Sequence, residues 1–140
     1  MQTRREALVV LSGAALAARA AQPLALTADE LTLTAKLIDL IIPRTDTPGA
    51  SDAQVHILID ERAAADKAFA QHWRGVLAKL GVGPDLAAQV EQAYQVKSPE
   101  FRLLKETVID LYYTTREGLA TELCWHGNTY LAEFRGCEGD

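Results

Sequence analysis

Side chains that hold cofactors are scarce in this chain. Its 140 residues include only two cysteines, Cys124 and Cys137. Two thiolates cannot ligate an ordinary four-cysteine iron–sulfur cluster, and no Cys-x-x-Cys-His run offers covalent haem attachment. A Gly-x-Gly-x-x-Gly turn is missing, and so is a Gly-Lys-Ser or Gly-Lys-Thr ending, which excludes the usual dinucleotide and phosphate cradles. The three histidines, His56, His72 and His126, stand in separate segments, and none has the His-Glu-x-x-His spacing of a zinc helix. Ser12, Ser51 and Ser98 lie in the leader or at helix caps, with no base to activate them. Nothing alternates in the manner of strands. Past the first two dozen residues, no apolar run approaches the ~20 residues that span a bilayer.

The opening of the chain is better furnished. Thr3-Arg4-Arg5-Glu6 leads into an apolar run over 7–18, followed by Ala18-Arg19-Ala20-Ala21-Gln22-Pro23. A charged start, a short apolar middle and small residues at the end describe a cleavable leader over 1–21. The paired Arg4 and Arg5 mark it for the twin-arginine translocase, so the expected location is the periplasm. That exporter moves proteins already folded, commonly with a cofactor in place. The leader is net positive, so the domain over 22–140 is more acidic than the whole chain's net charge of −5. Such a domain argues against nucleic acid and anionic membrane surfaces as partners.

Behind the leader the pattern is helical throughout. Thr27 and Glu30 form a capping box for a helix with Leu31, Leu37, Ile38, Ile41 and Ile42 on its apolar face, stopped by Pro43. Ser51 is a candidate cap for a second helix, with Val55, Leu58 and Ile59 inward and Asp60, Glu61 and Arg62 outward. A third runs from about Asp66 to Leu80 on Phe69, Trp73, Val76, Leu77 and Leu80, closed by a left-handed Gly81. A fourth covers about 85–96, with Leu86, Val90, Ala93 and Tyr94 inward. Ser98-Pro99 opens a fifth to about Tyr113 on Phe101, Leu104, Val108, Leu111 and Tyr112. Thr114 with Glu117 reads as a second capping box, starting a short sixth helix to about Leu123. The predicted fold is an all-α, single-domain bundle of about five to six helices with an irregular C-terminal arm.

Two segments break the helical pattern. Pro43-Arg44-Thr45-Asp46-Thr47-Pro48-Gly49-Ala50-Ser51-Asp52 has the composition of a fixed loop, and such loops often hold functional contacts. A rigid turn between two helices accounts for it equally well. The arm from Cys124 to Cys137 is aromatic and glycine-bearing. In an exported chain the default for its cysteine pair is a disulfide, which would pin a loop presenting Trp125, Tyr130, Phe134 and Arg135. These residue types are enriched at interface anchors, though packing on the chain's own helices is their plainer use.

The carboxylates point to no general acid. Asp60-Glu61, and Glu100 with Glu106, read as solvated helix faces. His56 has Asp60 one turn on, which could share a metal, but a surface pair is the simpler expectation. His72 reads as helix surface.

Three stretches together resemble the gluconate 2-dehydrogenase subunit 3 family. They are Ile42-Pro43-Arg44-Thr45-Asp46-Thr47-Pro48-Gly49-Ala50, the run Phe101–Glu106 continuing to Tyr112-Tyr113-Thr114-Thr115-Arg116-Glu117-Gly118, and Trp125-His126-Gly127-Asn128 through Gly136-Cys137. The resemblance implies a non-catalytic small subunit of a periplasmic, FAD-dependent sugar or sugar-acid dehydrogenase. It would carry the export signal for a large flavoprotein of the glucose–methanol–choline group and assist its maturation. The FAD then belongs to that partner, and haem c to a multihaem cytochrome c that often forms a third subunit. No cofactor, metal or catalytic residue is expected in this chain. Candidate partner contacts are Asp46, Thr47, Pro48 and Gly49 in the loop, and Trp125, Asn128, Tyr130 and Arg135 in the arm. Two competing readings use the same residues differently. One is a stand-alone periplasmic enzyme using the isolated histidines; the other is a sugar-binding domain with a pocket lined by Trp73, Tyr94 and Tyr112.

Overall fold

Thr27 and Glu30 close the start of the first helix as their spacing predicts. In the computed structural model, which describes residues 22–125, the Thr27 hydroxyl accepts from the Glu30 amide at 3.2 Å. The Glu30 carboxylate accepts from the Thr27 amide at 2.8 Å. This helix, α1, is Ala28–Ile41. Next come α2, Val55–Ala65, and α3, Lys67–Leu80, which is capped by Asp66 accepting from the Ala68 and Phe69 amides at 2.9 and 3.1 Å. Asp85 caps α4, Leu86–Gln95. Ser98 caps α5, Pro99–Tyr112, accepting from the Phe101 amide at 3.1 Å with Pro99 in the first turn. A π-helical segment, Glu117–Glu122, follows. The described residues contain no strand and form an all-α bundle, as predicted.

The apolar stripes explain the packing. Helices α1, α2, α3 and α5 contact one another in every pairing, and α4 lies against α1, α3 and α5. Trp73 is completely buried among Leu37, Ile38, Val55, Ile59, Leu104 and Val108. A buried indole N–H needs an acceptor. The hydroxyl of buried Thr34 on α1 supplies it at 3.1 Å.

Several expectations are corrected. Ser51 does not cap α2: its hydroxyl and amide donate to the Asp39 carboxylate of α1 at 2.6 and 2.8 Å. A turn intervenes, and Gln54, left-handed at φ 59, precedes the helix without a side-chain cap. Gly81 has φ −90 and closes α3 without the left-handed turn; Gly83 carries the positive φ, at 98. Thr114 makes no capping box with Glu117, because its hydroxyl turns back to the Leu111 carbonyl at 2.7 Å. Thr115 does the local work, donating to the Tyr112 carbonyl and accepting from the Gly118 amide at 3.1 Å. Tyr94 does not face inward but is 55% exposed, while α4 meets the core through Val90 and Ala93.

Asp60 is the largest departure. It was expected on the polar face of α2, yet it is only 3% exposed. Its carboxylate accepts from three successive amides, Leu24 at 2.6 Å, Ala25 at 2.9 Å and Leu26 at 2.8 Å. Across from it, Arg74 donates to the Ala25 carbonyl at 2.8 Å and pairs with Glu30. The segment entering α1 is thereby tied to α2 and α3.

Candidate functional site

The loop between α1 and α2 is built from its own polar groups. Arg44 reaches across it to grip the Asp52 carboxylate in a two-point ion pair. Asp52 also accepts from the Gly49 amide at 3.0 Å, and the Ala50 amide donates to the Ile42 carbonyl at 2.9 Å. The Arg44 hydrogen bond holds the Asp52 carboxyl below the usual carboxylate range, and the Gly49 amide adds to this. A Cβ on Gly49 would lie 2.8 Å from the Arg44 nitrogen and 3.2 Å from the Ile42 oxygen. Those obstacles are backbone, so the glycine is required by close approach.

Tyr112 anchors the loop to α5. Its hydroxyl, at the end of a fully buried side chain, donates to the Pro48 carbonyl at 2.7 Å. Burial pushes the phenol's pKa up, which keeps it a donor. The carbonyl of the same residue receives the Thr115 hydroxyl, and Gly118 packs so closely against it that no side chain would fit there. Loop and root of the C-terminal arm therefore share one anchor. They also share a shallow cleft of about 320 Å³, in which Arg44, Asp46, Thr47 and Pro48 face Glu117.

Of the candidate contact residues, Asp46 is exposed, Thr47 and Pro48 are half-buried, and Gly49 is buried, shaping the loop from within. Trp125 is 48% exposed, with its amide on the Leu119 carbonyl at 2.8 Å. Cys124 takes a left-handed φ of 53 just before it. Asn128, Tyr130, Arg135 and Cys137 lie outside the described residues, as do His126, Phe134 and the leader pair Arg4 and Arg5. The structure thus brings the loop to the arm's root. Sequence reasoning missed the Arg44–Asp52 pair and the Tyr112 anchor, since neither leaves a periodic signal.

The competing chemistries find little geometry. His56 is half-buried, and its Nδ1 is buried with no hydrogen-bond partner. Desolvation pushes its pKa down, against an opposing pull from Asp39. Both oxygens of Asp60 are already engaged by the amides of residues 24–26, so His56 and Asp60 do not form the pair that a shared metal would use. No three potential ligand side chains gather among the described residues. His72 is exposed on α3, and Glu100 pairs with Lys79 at 3.0 Å. Trp73 and Tyr112 are closed into the core while Tyr94 faces outward, so these three aromatics do not line a common pocket.

Fold and loop together define a small all-α scaffold that holds one rigid loop at its surface. In sequence comparison, residues 28–82 match the family described as gluconate 2-dehydrogenase subunit 3. The resemblance read from the sequence is borne out over that segment, which runs from α1 through the loop to the end of α3. No curated protein and no solved structure matches the chain. The family implies association with other subunits of a dehydrogenase. Among the described residues, no helix is long and apolar enough to cross a membrane.

Proposed function

We propose that this chain is the non-catalytic small subunit of a periplasmic, flavin-dependent dehydrogenase that oxidises an alcohol group of a sugar or sugar acid. In this reading it carries the export signal, through Arg4 and Arg5, for a glucose–methanol–choline-type flavoprotein and helps that subunit mature and stay folded. FAD sits in the flavoprotein, and a cytochrome c subunit, where one is present, holds the haem. The observation that carries the reading is the rigid loop over 42–52. It lies within the family-matched segment, and its shape is fixed by Arg44, Gly49, Asp52 and Tyr112 while Asp46 is left exposed. A loop that pre-organised loses little further entropy on docking. The arm beyond Trp125, closed by a Cys124–Cys137 bond, is the second contact.

The test is to express the flavoprotein with and without this chain and assay flavin-dependent dye reduction in the periplasmic fraction. Activity should require co-expression. Active flavoprotein in the periplasm without this chain would overturn the proposal.

A further inference from the structure

A second surface, away from the loop, has the character of a docking groove. Two open clefts of about 390 and 440 Å³ adjoin between the end of α1, α4 and α5, with Tyr94, Phe101 and Lys105 lining both. The first is largely apolar, lined by Leu40, Val90, Ile109 and Tyr113, with Glu91 its one acid. At the junction Tyr94 stands edge-on to Phe101, ring centres 5.4 Å apart, and Leu40 is also exposed. The second cleft is basic: Lys97, Arg102 and Lys105 line it against a single acid, Glu106. Among the described residues no ion pair is found for these three cations. With Glu91 and Glu106 counted against Lys97, Arg102 and Lys105, the groove stays net positive in a chain of net charge −5, so its electrostatic complement is acidic.

We propose that this groove docks a segment of the flavoprotein partner in which a bulky apolar side chain lies beside carboxylates. The apolar side chain fills the cleft at Leu40, Tyr94 and Phe101, and the carboxylates meet Lys97, Arg102 and Lys105. This rests on the small-subunit reading and adds a contact that neither the loop nor the arm supplies. Charge complementarity favours an acidic occupant, and the apolar half selects a protein segment over a small anion.

The test uses the full chain co-expressed with the flavoprotein subunit of its own complex, with a photo-crosslinking amino acid in place of Tyr94. The expected product is a crosslink to a flavoprotein peptide carrying aspartate or glutamate next to an apolar residue. In parallel, Lys97→Glu with Lys105→Glu should reduce the flavoprotein recovered per chain about tenfold, and should flatten the salt dependence of its retention. The matched reversal Lys36→Glu with Lys67→Glu, at exposed positions on α1 and α3, should recover as much as the native chain; circular dichroism checks that both variants fold. Crosslinking to the chain's own arm or to a second copy would overturn the inference, as would equal losses in the two double variants. If the native chain retains no flavoprotein at all, the small-subunit reading itself fails. Retention by the native chain and by the Lys97/Lys105 variant alike defeats only the groove.

Discussion

Asp60 is the one charged side chain among the buried residues described, and its carboxylate does what an apolar residue could not. It satisfies the amides of Leu24, Ala25 and Leu26 at once, on a stretch of chain 34 to 36 residues distant. Asp60→Asn keeps the shape but turns an amide NH₂ toward donors, and should cost about 2 kcal/mol in urea denaturation at neutral pH. The pH dependence has a definite sign. Burial alone would raise the carboxyl's pKa, but the three amides together outweigh it and hold the group below its ordinary value. The unfolded state then binds the proton more readily than the folded one. The stabilisation is complete above the ordinary aspartate value of about 3.9 and is lost as pH falls through the lower, folded value. The gap between native and Asp60→Asn stability should therefore hold from pH 7 to about 5 and narrow below about 4. A gap unchanged at about pH 3 would show that the carboxylate is not what matters. None of this is legible in the sequence. Asp60 sits beside Glu61 and Arg62 at the margin of a weakly amphipathic helix, and only the tertiary position of residues 24–26 makes it a buried acceptor.

The loop and its anchor behave as one element. Tyr112→Phe removes only the hydroxyl that meets the Pro48 carbonyl, and should cost about 1 kcal/mol. It should also speed hydrogen exchange at the Gly49 and Ala50 amides, which the loop's own hydrogen bonds protect. Gly49→Ala forces the Cβ onto the Arg44 and Ile42 backbone and should cost about 1–3 kcal/mol, because backbone cannot turn aside as a side-chain end can. Exchange rates unaltered in Tyr112→Phe would mean that the loop holds its shape without α5. At this scale the sequence is informative where the cause is local. Thr27 with Glu30, Asp66, Asp85 and Ser98-Pro99 mark helix starts because a cap bonds an amide two or three residues away. It misleads where a distant element decides: Ser51 answers to Asp39 rather than to α2. The loop's rigidity was readable from its prolines and its glycine, but not the tyrosine that holds it, which looked like one more core residue of α5.

For the whole molecule, the question is whether the fold is separable from the export signal proposed at Arg4 and Arg5. The described core begins at Leu26, and the amides that Asp60 holds begin at Leu24. Among the described residues, the hydrogen bonds and the ion pair that hold that entry segment run to α1, α2 or α3. A core that closes on itself from Leu26 onward, with its entry segment tied down, should fold on its own: a chain lacking residues 1–21 should melt at the same temperature as the full chain. Those ties to Asp60 and Arg74 span most of α1 and α2 in sequence, so they form only when the helices have packed. Arg4→Lys with Arg5→Lys leaves the apolar run and the domain unchanged and alters only the pair that the proposed reading assigns to the translocase. This variant should accumulate in the cytoplasm, folded and with an unchanged melting temperature, while the native chain reaches the periplasm. Fractionation followed by immunoblotting reads the location, and thermal denaturation of the cytoplasmic pool reads the fold. If the lysine variant is exported as well as the native chain, the twin-arginine assignment is wrong, even though the helical domain behind it stands as described.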